Sequence, residues 1–393
     1  MEYLLDKSDK KSRHVTGKRT RYLFDVIDWS ERLIVILGYR GTGKTTLLLQ
    51  NLKKTTTKGV YISMDDFYFE THRLIETVKQ LYDSGFRLFL IDEVHRYLYW
   101  AKDLKQIYDD YDDIQVIATG SSILDISRGS SDLSRRASIY HLHGFSFGEY
   151  LMFKNNIQMP VLSLSDIIHH HHQLAPDLLD KFSYKKEFQN YLKYGYYPFF
   201  LDSGKTYYQK LQETINHVME TDIGLIEDLQ HSTVRMMKKL LFVLSESVPF
   251  TPNISKLSER LGTPRNTILR LLDIMNQAQI LQLLRPSAKG ISYLQKPEKI
   301  YLQNTNMIYL FSPVAANMGS IRETFFFNQV STRHTVTSAK FGDFMVDDIY
   351  TFEIGGASKT SEQIRGVPNS YLALHTESGN NKRIPLWLFG LLY

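Results

Sequence analysis

Nine residues, GYRGTGKTT (38–46), constrain this chain more than any other stretch. They follow an apolar, β-branched run, LIVILG (33–38), and open a helical stretch, so they stand at a strand-to-helix junction. The pattern G-x-x-x-x-G-K-[ST] in that position is a phosphate-binding loop. Gly38, Gly41 and Gly43 let the backbone wrap an anion with its N–H groups turned inward, and Tyr39, Arg40 and Thr42 complete the loop. The helix beginning near Lys44 adds the positive end of its dipole. In this reading Lys44 reaches the β- and γ-phosphates, Thr45 ligates Mg²⁺ and Thr46 closes the motif, so the cofactors are ATP and Mg²⁺. An ordinary Gly-rich turn is the bland alternative.

Four more short apolar runs alternate with helical stretches: GVYISMD (59–65), RLFLIDE (87–93), IQVIATG (114–120) and SIYHLHG (138–144). Near-continuous apolar strands separated by helices predict a parallel sheet covered on both faces, an α/β fold. RLFLIDE ends in Asp92 and Glu93, and a buried strand ending in two acids is costly unless a cation stands beside them. Asp92 is expected to hold the Mg²⁺ shell, and Glu93 to polarise the attacking water. The run VIATGSS ends in Thr119, Gly120, Ser121 and Ser122. A hydroxyl there would sense the γ-phosphate, with helix capping by Ser121 or Ser122 an equal alternative. Arg135 and Arg136 precede the fifth run, an exposed basic pair or an arginine for a neighbouring molecule's site.

Together GYRGTGKTTLL, LFLIDEVHRYLYWAKDLKQIYD, VIATGSSILDI, DLSRRASIYHLHGFSFGEYL and YLKYGYYP resemble a prokaryotic AAA-type ATPase family whose members carry a C-terminal domain of unknown function. The resemblance implies a P-loop NTPase sheet of ASCE/AAA type, a nucleotide site at Gly38 to Thr45, Walker B acids at Asp92 and Glu93, and an arginine-finger role for Arg136. The doubled Arg135-Arg136 leaves the choice within that pair open.

Beyond residue 150 the patterns change. A basic arm (1–24) and the ATPase domain (25–150) are followed by a helical lid (151–230). YLKYGYYPFF (191–200) there offers stacking surfaces for bases or, more simply, packs the lid on the ATPase core. Residues 231–302 read as a winged helix. Its third helix, TPRNTILRLLDIMNQ, has Thr263 as N-cap, Pro264 at the first helical position, and Arg265, Asn266 and Arg270 facing outward. RPSAKGISYLQKPEKIYLQN would form the wing. Such a module docks on DNA or on protein.

The last segment (303–393) holds KFGDFMVDDIYTFEIGG (340–356), two alternating strands joined by a turn at Asp347-Asp348. Asp343 and Glu353 on neighbouring strands, with Glu323 on the preceding helix SIRETFFFNQV, form a tentative second metal site. Restriction-type nucleases place an Asp and a Glu this way, with a lysine two residues after the Glu. Here that position is Gly355, and Lys359 would substitute only if the chain folds back. A nuclease-like α/β domain with little or no activity is therefore expected, alongside the alternatives of an ATPase-gated nuclease and a slow nucleotide switch.

Composition is that of an ordinary globular chain: 393 residues, 43% hydrophobic, 23% charged, net charge +5. The absence of cysteine excludes disulfides, thiolate-bound zinc and thiol catalysis. MEYLLDKSDKKSRH has charges where a signal peptide needs an apolar core, and IPLWLFGLLY is too short to span a bilayer, so no membrane partner and a cytoplasmic location are expected. HHHH (169–172) could place His169 and His172 on one helix face for a weak metal site, but a solvated face is the simpler reading. A homo-oligomer or a partner-activated ATPase is expected.

Overall fold

The computed structural model describes residues 1–122, 133, 135–224, 231–246, 249–287, 296–312 and 317–393. The chain divides into two compact units, one of Met1–His143 with His217–Gln230, the other of Gly144–Asn216 with His231–Tyr393.

The first unit is built on a five-stranded sheet of β1 (Leu33–Leu37), β2 (Gly59–Ser63), β3 (Leu88–Asp92), β4 (Gln115–Gly120) and β5 (Ser138–His141). All neighbours are parallel, in the order β2-β3-β4-β1-β5. The pleat sends alternate side chains to opposite faces, and both are covered. Leu33, Val35, Leu37, Ile62 and Ile91 pack with Leu74, Val78, Trp100 and Leu104 of the helices Leu74–Asp83 and Trp100–Asp110. Ile34, Ile36, Tyr61, Leu90 and Ile117 pack with Leu47 and Leu48 of the helix Lys44–Lys54. This two-sided burial is why the strands read as unbroken apolar runs.

The basic N-terminus is not a free arm. Residues Glu2–His14 form a helix whose Leu4 is buried in the first of these clusters. Ser8 accepts the Tyr61 N–H at 2.9 Å, and Lys7 pairs with Asp66. The helix thus covers edge strand β2, whose polar backbone would otherwise be open to pairing. Most of its charges face outward while Leu4, with Met1 and Leu5 partly buried beside it, anchors it, which charge counting overlooks.

Most of the helical region, within residues Gly144–Asn216, belongs to the second compact unit. Its aromatic cluster closes within the second unit: Tyr191 packs against Phe147 and Phe325 and donates to the Phe145 carbonyl at 2.7 Å. Asn306 donates to the carbonyls of Tyr191 and Leu192 at 3.1 and 2.9 Å and accepts the Tyr196 N–H at 2.9 Å. His169 and His172 are exposed, as a solvated face requires.

Within 231–302 stand the helices His231–Ser245, Ile254–Leu261 and Arg265–Gln277, then an antiparallel pair, β6 (Leu281–Leu284) with β7 (Lys299–Leu302). Ile268, Leu271, Leu272 and Met275 are buried, and Arg265, Asn266 and Arg270 are exposed. Pro264, not Thr263, occupies the N-cap, and Thr263 bonds back to the Leu261 carbonyl at 3.2 Å. Residues 288–295 of the expected wing lie outside the described residues. The remaining chain forms a second sheet, β12-β11-β10-β9-β8, of β8 (Val336–Ser338), β9 (Phe344–Val346), β10 (Tyr350–Gly355), β11 (Ser370–Leu374) and β12 (Arg383–Pro385). β8, β9 and β10 are antiparallel, while β10, β11 and β12 run parallel. Asp347 and Asp348 both take left-handed φ values (54° and 56°), and Ile349 N–H closes the turn on the Val346 carbonyl at 3.0 Å. The apolar C-terminus, with Trp387 and Phe389 fully buried, packs on the helix Met318–Val330. Among the described residues no helix is long and apolar enough to cross a membrane.

Burying Leu4 makes the N-terminal helix part of the first unit's stability. Leu4→Ala should lower that unit's unfolding free energy by roughly 2–5 kcal/mol in a denaturant titration, whereas a detached arm would give no change.

Candidate active site

The phosphate loop links β1 to the helix Lys44–Lys54 with the backbone that its glycines were expected to supply. Gly41 (φ 81°) and Gly43 (φ 96°) lie in the left-handed region that a Cβ disfavours. Gly38 has no room for a side chain, because a Cβ there would collide with the Leu142 carbonyl oxygen. Thr42 is fully buried and donates to the Tyr39 carbonyl at 2.8 Å, bracing the loop from within. Arg21, from the basic N-terminal segment, braces it from outside: it donates to the carbonyls of Thr42 and, at 2.8 Å, His143. Lys44 is buried, and its Nζ donates to the Gly38 and Tyr39 carbonyls at 2.8 and 3.1 Å. Burial pushes its pKa below the ordinary lysine value, with Glu93 and Asp92 opposing.

Asp92, at the C-terminal end of β3, sits beneath the loop. Thr45 Oγ1 donates to its Oδ2 at 2.7 Å, Tyr61 OH donates to the same oxygen at 2.8 Å, and Thr119 donates to Oδ1. Thr119 is thus the hydroxyl of the VIATGSS run that touches the acid, and it also accepts the Glu93 N–H at 3.2 Å. Glu93 takes a left-handed conformation (φ 58°, ψ 41°), a strain of about 1–3 kcal/mol for a non-glycine residue. Its carboxylate lies 3.8 Å from Arg40 and 3.4 Å from His95. Tyr61 was missed because an aromatic residue inside an apolar strand reads as core; burial and the Asp92 charge push its pKa well above the usual value.

The residues present fit a nucleotide and its cation. Arg40 Nη1 and Arg96 Nε are buried without hydrogen-bond partners, and such donors are expensive unless an acceptor arrives. Thr45 and Asp92 offer adjacent oxygens of the kind Mg²⁺ takes, one hydroxyl and one carboxylate. Thr46 is exposed at the start of the helix. Arg136 makes a two-point pair with Asp109, at 2.8 and 3.0 Å. Arg135 is exposed and has no ion-pair partner among the described residues. Residues 123–126 and 132 of the expected motifs lie outside the described set, as does 134.

In the second unit, Glu323, Asp343 and Glu353 come near one another without forming the expected three-carboxylate metal centre. Among the described residues no three His, Asp or Glu side chains converge on an ion's position. Ammonium groups stand between the acids instead. Lys299 bridges Glu323 (3.2 Å) and Asp343 (3.3 Å), and Lys359 pairs with Glu353. Asp343 precedes β9 rather than lying on it and accepts the Ile354 N–H at 2.9 Å. Burial raises the pKa of Glu323 and of Glu353, and the Asp343 charge adds to both. The chain does fold back after Gly355. A Cβ on Gly355 would lie 2.5 Å from Cβ and Cγ of Lys359, so the missing side chain leaves the space that the lysine stem crosses. Arg383 holds this return by donating to the Ala357 and Lys359 carbonyls at 2.7 and 3.2 Å.

Comparison with known proteins agrees with the loop geometry. Residues 30–151 match the AAA domain family, and residues 185–319 match a domain of unknown function, DUF8612. An uncharacterized protein of Methanocaldococcus jannaschii is 28% identical over 294 residues, covering 69% of this chain; the match spans 60% of that relative's length. Among solved structures, the Thermotoga maritima RuvB Holliday junction branch migration motor (17% identity, 64% of this chain and 82% of that one) has a TM-score of 0.27. The Aeropyrum pernix ORC1 protein in complex with DNA (11% identity, 78% and 92%) has a TM-score of 0.29. Scores this low carry no argument about function. Residues 30–151 are thus similar to an AAA domain, and the glycine loop within them has the backbone of a phosphate-binding loop.

Two variants separate binding from chemistry here. Lys44→Ala should weaken ATP binding about 10²-fold or more, as loss of a buried charge partner does. Glu93→Gln should keep nucleotide affinity and slow hydrolysis by about 10²–10⁴-fold. Calorimetry with steady-state phosphate release checks both, and equal loss of affinity in the two would show Glu93 misassigned.

Proposed function

We propose that this chain is a Mg²⁺-dependent ATPase that couples its nucleotide state to partner binding by its C-terminal half. The observation that carries the reading is the Thr45 hydroxyl meeting Asp92 beneath the glycine loop, with Glu93 one residue further on. Thr45 and Asp92 would hold Mg²⁺, which supplies charge neutralisation at the phosphates. Lys44 and Arg40 bind the phosphates, and Glu93 orients a water and takes its proton. Intact Asp92 and Glu93 favour turnover over a pure binding switch.

An assembled or partner-completed site supplies the arginine. The pairing of Arg136 with Asp109 supports Arg135 as the finger, although that surface pair is weak enough to open. Mixing Lys44→Ala molecules, whose own site is dead, with Arg135→Ala molecules should restore ATP hydrolysis above either variant alone. The same mixture made with Arg136→Ala decides between the two. No recovery in mixtures shown to co-assemble would remove the role in trans.

For the C-terminal half, duplex DNA is the proposed partner and a protein the alternative. Exposed Arg265, Asn266 and Arg270 support DNA, as does a groove lined by Arg235, Lys238, Lys239 and Arg260 around the exposed ring of Phe242. The sheet β8–β12 is proposed to bind without cutting, since lysines already neutralise its carboxylates. A second reading, a nuclease gated by the ATPase, is favoured by one observation: Lys359 stands at Glu353 where the motif position holds Gly355. Incubation with plasmid in Mg²⁺ or Mn²⁺ distinguishes them. We expect faster ATP hydrolysis with intact DNA; cleavage that survives in Lys44→Ala but is lost in Glu353→Ala and Lys359→Ala would establish the nuclease.

A further inference from the structure

Several polar atoms of the first unit are buried without a hydrogen-bond partner around a single carboxylate. Arg40 Nη1 and His95 Nε2 face Glu93 at 3.8 and 3.4 Å, and His95 Nδ1 and Asp222 Oδ1 are likewise buried without a partner. The His95 ring is 1% exposed, and the Asp222 side chain 3%. Nε2 of His95 faces two acids, Glu93 Oε2 at 3.4 Å and Asp222 Oδ1 at 3.6 Å. A neutral imidazole carries one N–H, and this edge can give it to only one carboxylate at a time. Leaving both unmade inside the protein is costly, so the two acids compete for this edge of the ring.

Asp222 reaches this position by an unusual route. The helix Tyr207–His217 continues into a π-helical turn, Val218–Asp222, a geometry that recurs at functional sites. This turn belongs to His217–Gln230, the piece that returns to the nucleotide-binding unit after Gly144–Asn216 and before His231–Tyr393. Its other charged neighbours are accounted for: His217 lies 3.8 Å from Asp222, Arg96 bonds His217 at 2.8 Å, and Lys44 and Arg40 add positive potential. Burial acts to raise the pKa of Asp222, but the neighbouring His95 and Arg40 outweigh it and hold it below the ordinary aspartate value.

We propose that Asp222 is a positioning residue for ATP hydrolysis, competing with Glu93 for the Nε2–H of His95. When Asp222 takes that proton donor, the Glu93 carboxylate is free to accept a proton from water. When it does not, His95 and Arg40 hold Glu93 in place and hydrolysis is slow. The π-helical turn therefore sets the rate, and the chain on both sides of it leads into the second unit. This inference rests on the reading of the site as an ATPase.

The test measures kcat and Mg-ATP affinity on the full-length protein. In Asp222→Asn the neutral amide is a weaker acceptor than a carboxylate, so His95 should turn to Glu93. We expect kcat to fall about 10- to 100-fold, in line with misplaced catalytic groups, with ATP affinity unchanged and partial recovery in Asp222→Glu. His95→Leu removes the contested proton donor, and Asp222→Asn added to it should then have no further effect. The same holds in Glu93→Gln, where no base remains to be positioned. Wild-type kcat in Asp222→Asn overturns the inference, as do losses that simply add in the His95→Leu and Glu93→Gln backgrounds. If Asp222→Asn does not fold, a kcat in His95→Leu that still falls tenfold further with Asp222→Glu overturns it too. Wild-type protein that binds Mg-ATP without hydrolysing it overturns the ATPase reading itself.

Discussion

An aspartate buried at the end of a central strand needs partners, and the nucleotide-binding unit is arranged around supplying them to Asp92. Three hydroxyls from three elements meet its two oxygens: Thr45 from the phosphate loop, Tyr61 from β2 and Thr119 from β4. Each bond also fixes the element that makes it. Thr45 ties the start of its helix to the sheet, Thr119 accepts the Glu93 N–H, and Tyr61 ties β2 to the end of β3. With hydroxyls rather than fixed cations as partners, the carboxylate is satisfied without a permanent positive charge beside it.

The same economy appears around Glu93. Its left-handed backbone points the side chain away from the strand direction and toward Arg40, His95 and, beyond them, Asp222. Arg40 and His95 lie within two residues of motif positions, whereas Asp222 lies far along the chain. A strained residue held by distant groups can have its orientation changed by whatever moves those groups.

Legibility in the sequence follows how local each feature is. The five strands, the glycine loop and the two acids could be read because strand period, glycine spacing and strand-end position are properties of contiguous residues. Arg21 could not, because its role is to hold carbonyls in the loop from the far side, and a basic segment gives no sign of that. The N-terminal helix was hidden by its own charges, since a buried leucine outweighs the solvated lysines Lys10 and Lys11. Lys359 shows the opposite failure. Motif spacing puts a lysine at 355, while the chemistry needs only an ammonium in that space, and the absence of a side chain on Gly355 is what admits one from further along. Asp222 and Tyr61 left no pattern at all.

The chain crosses between its two units three times, after His143, after Asn216 and after Gln230. It follows that the nucleotide-binding unit is not a contiguous stretch of polypeptide. A fragment ending at residue 150 would carry every recognisable motif and still lack Asp222. A single proteolytic nick within 144–216 would leave the C-terminal product contributing its own residues to the nucleotide unit, so the two pieces would remain partners after cleavage. During synthesis, too, the motifs emerge well before the segment that completes their surroundings, because residues 144–216 are made in between.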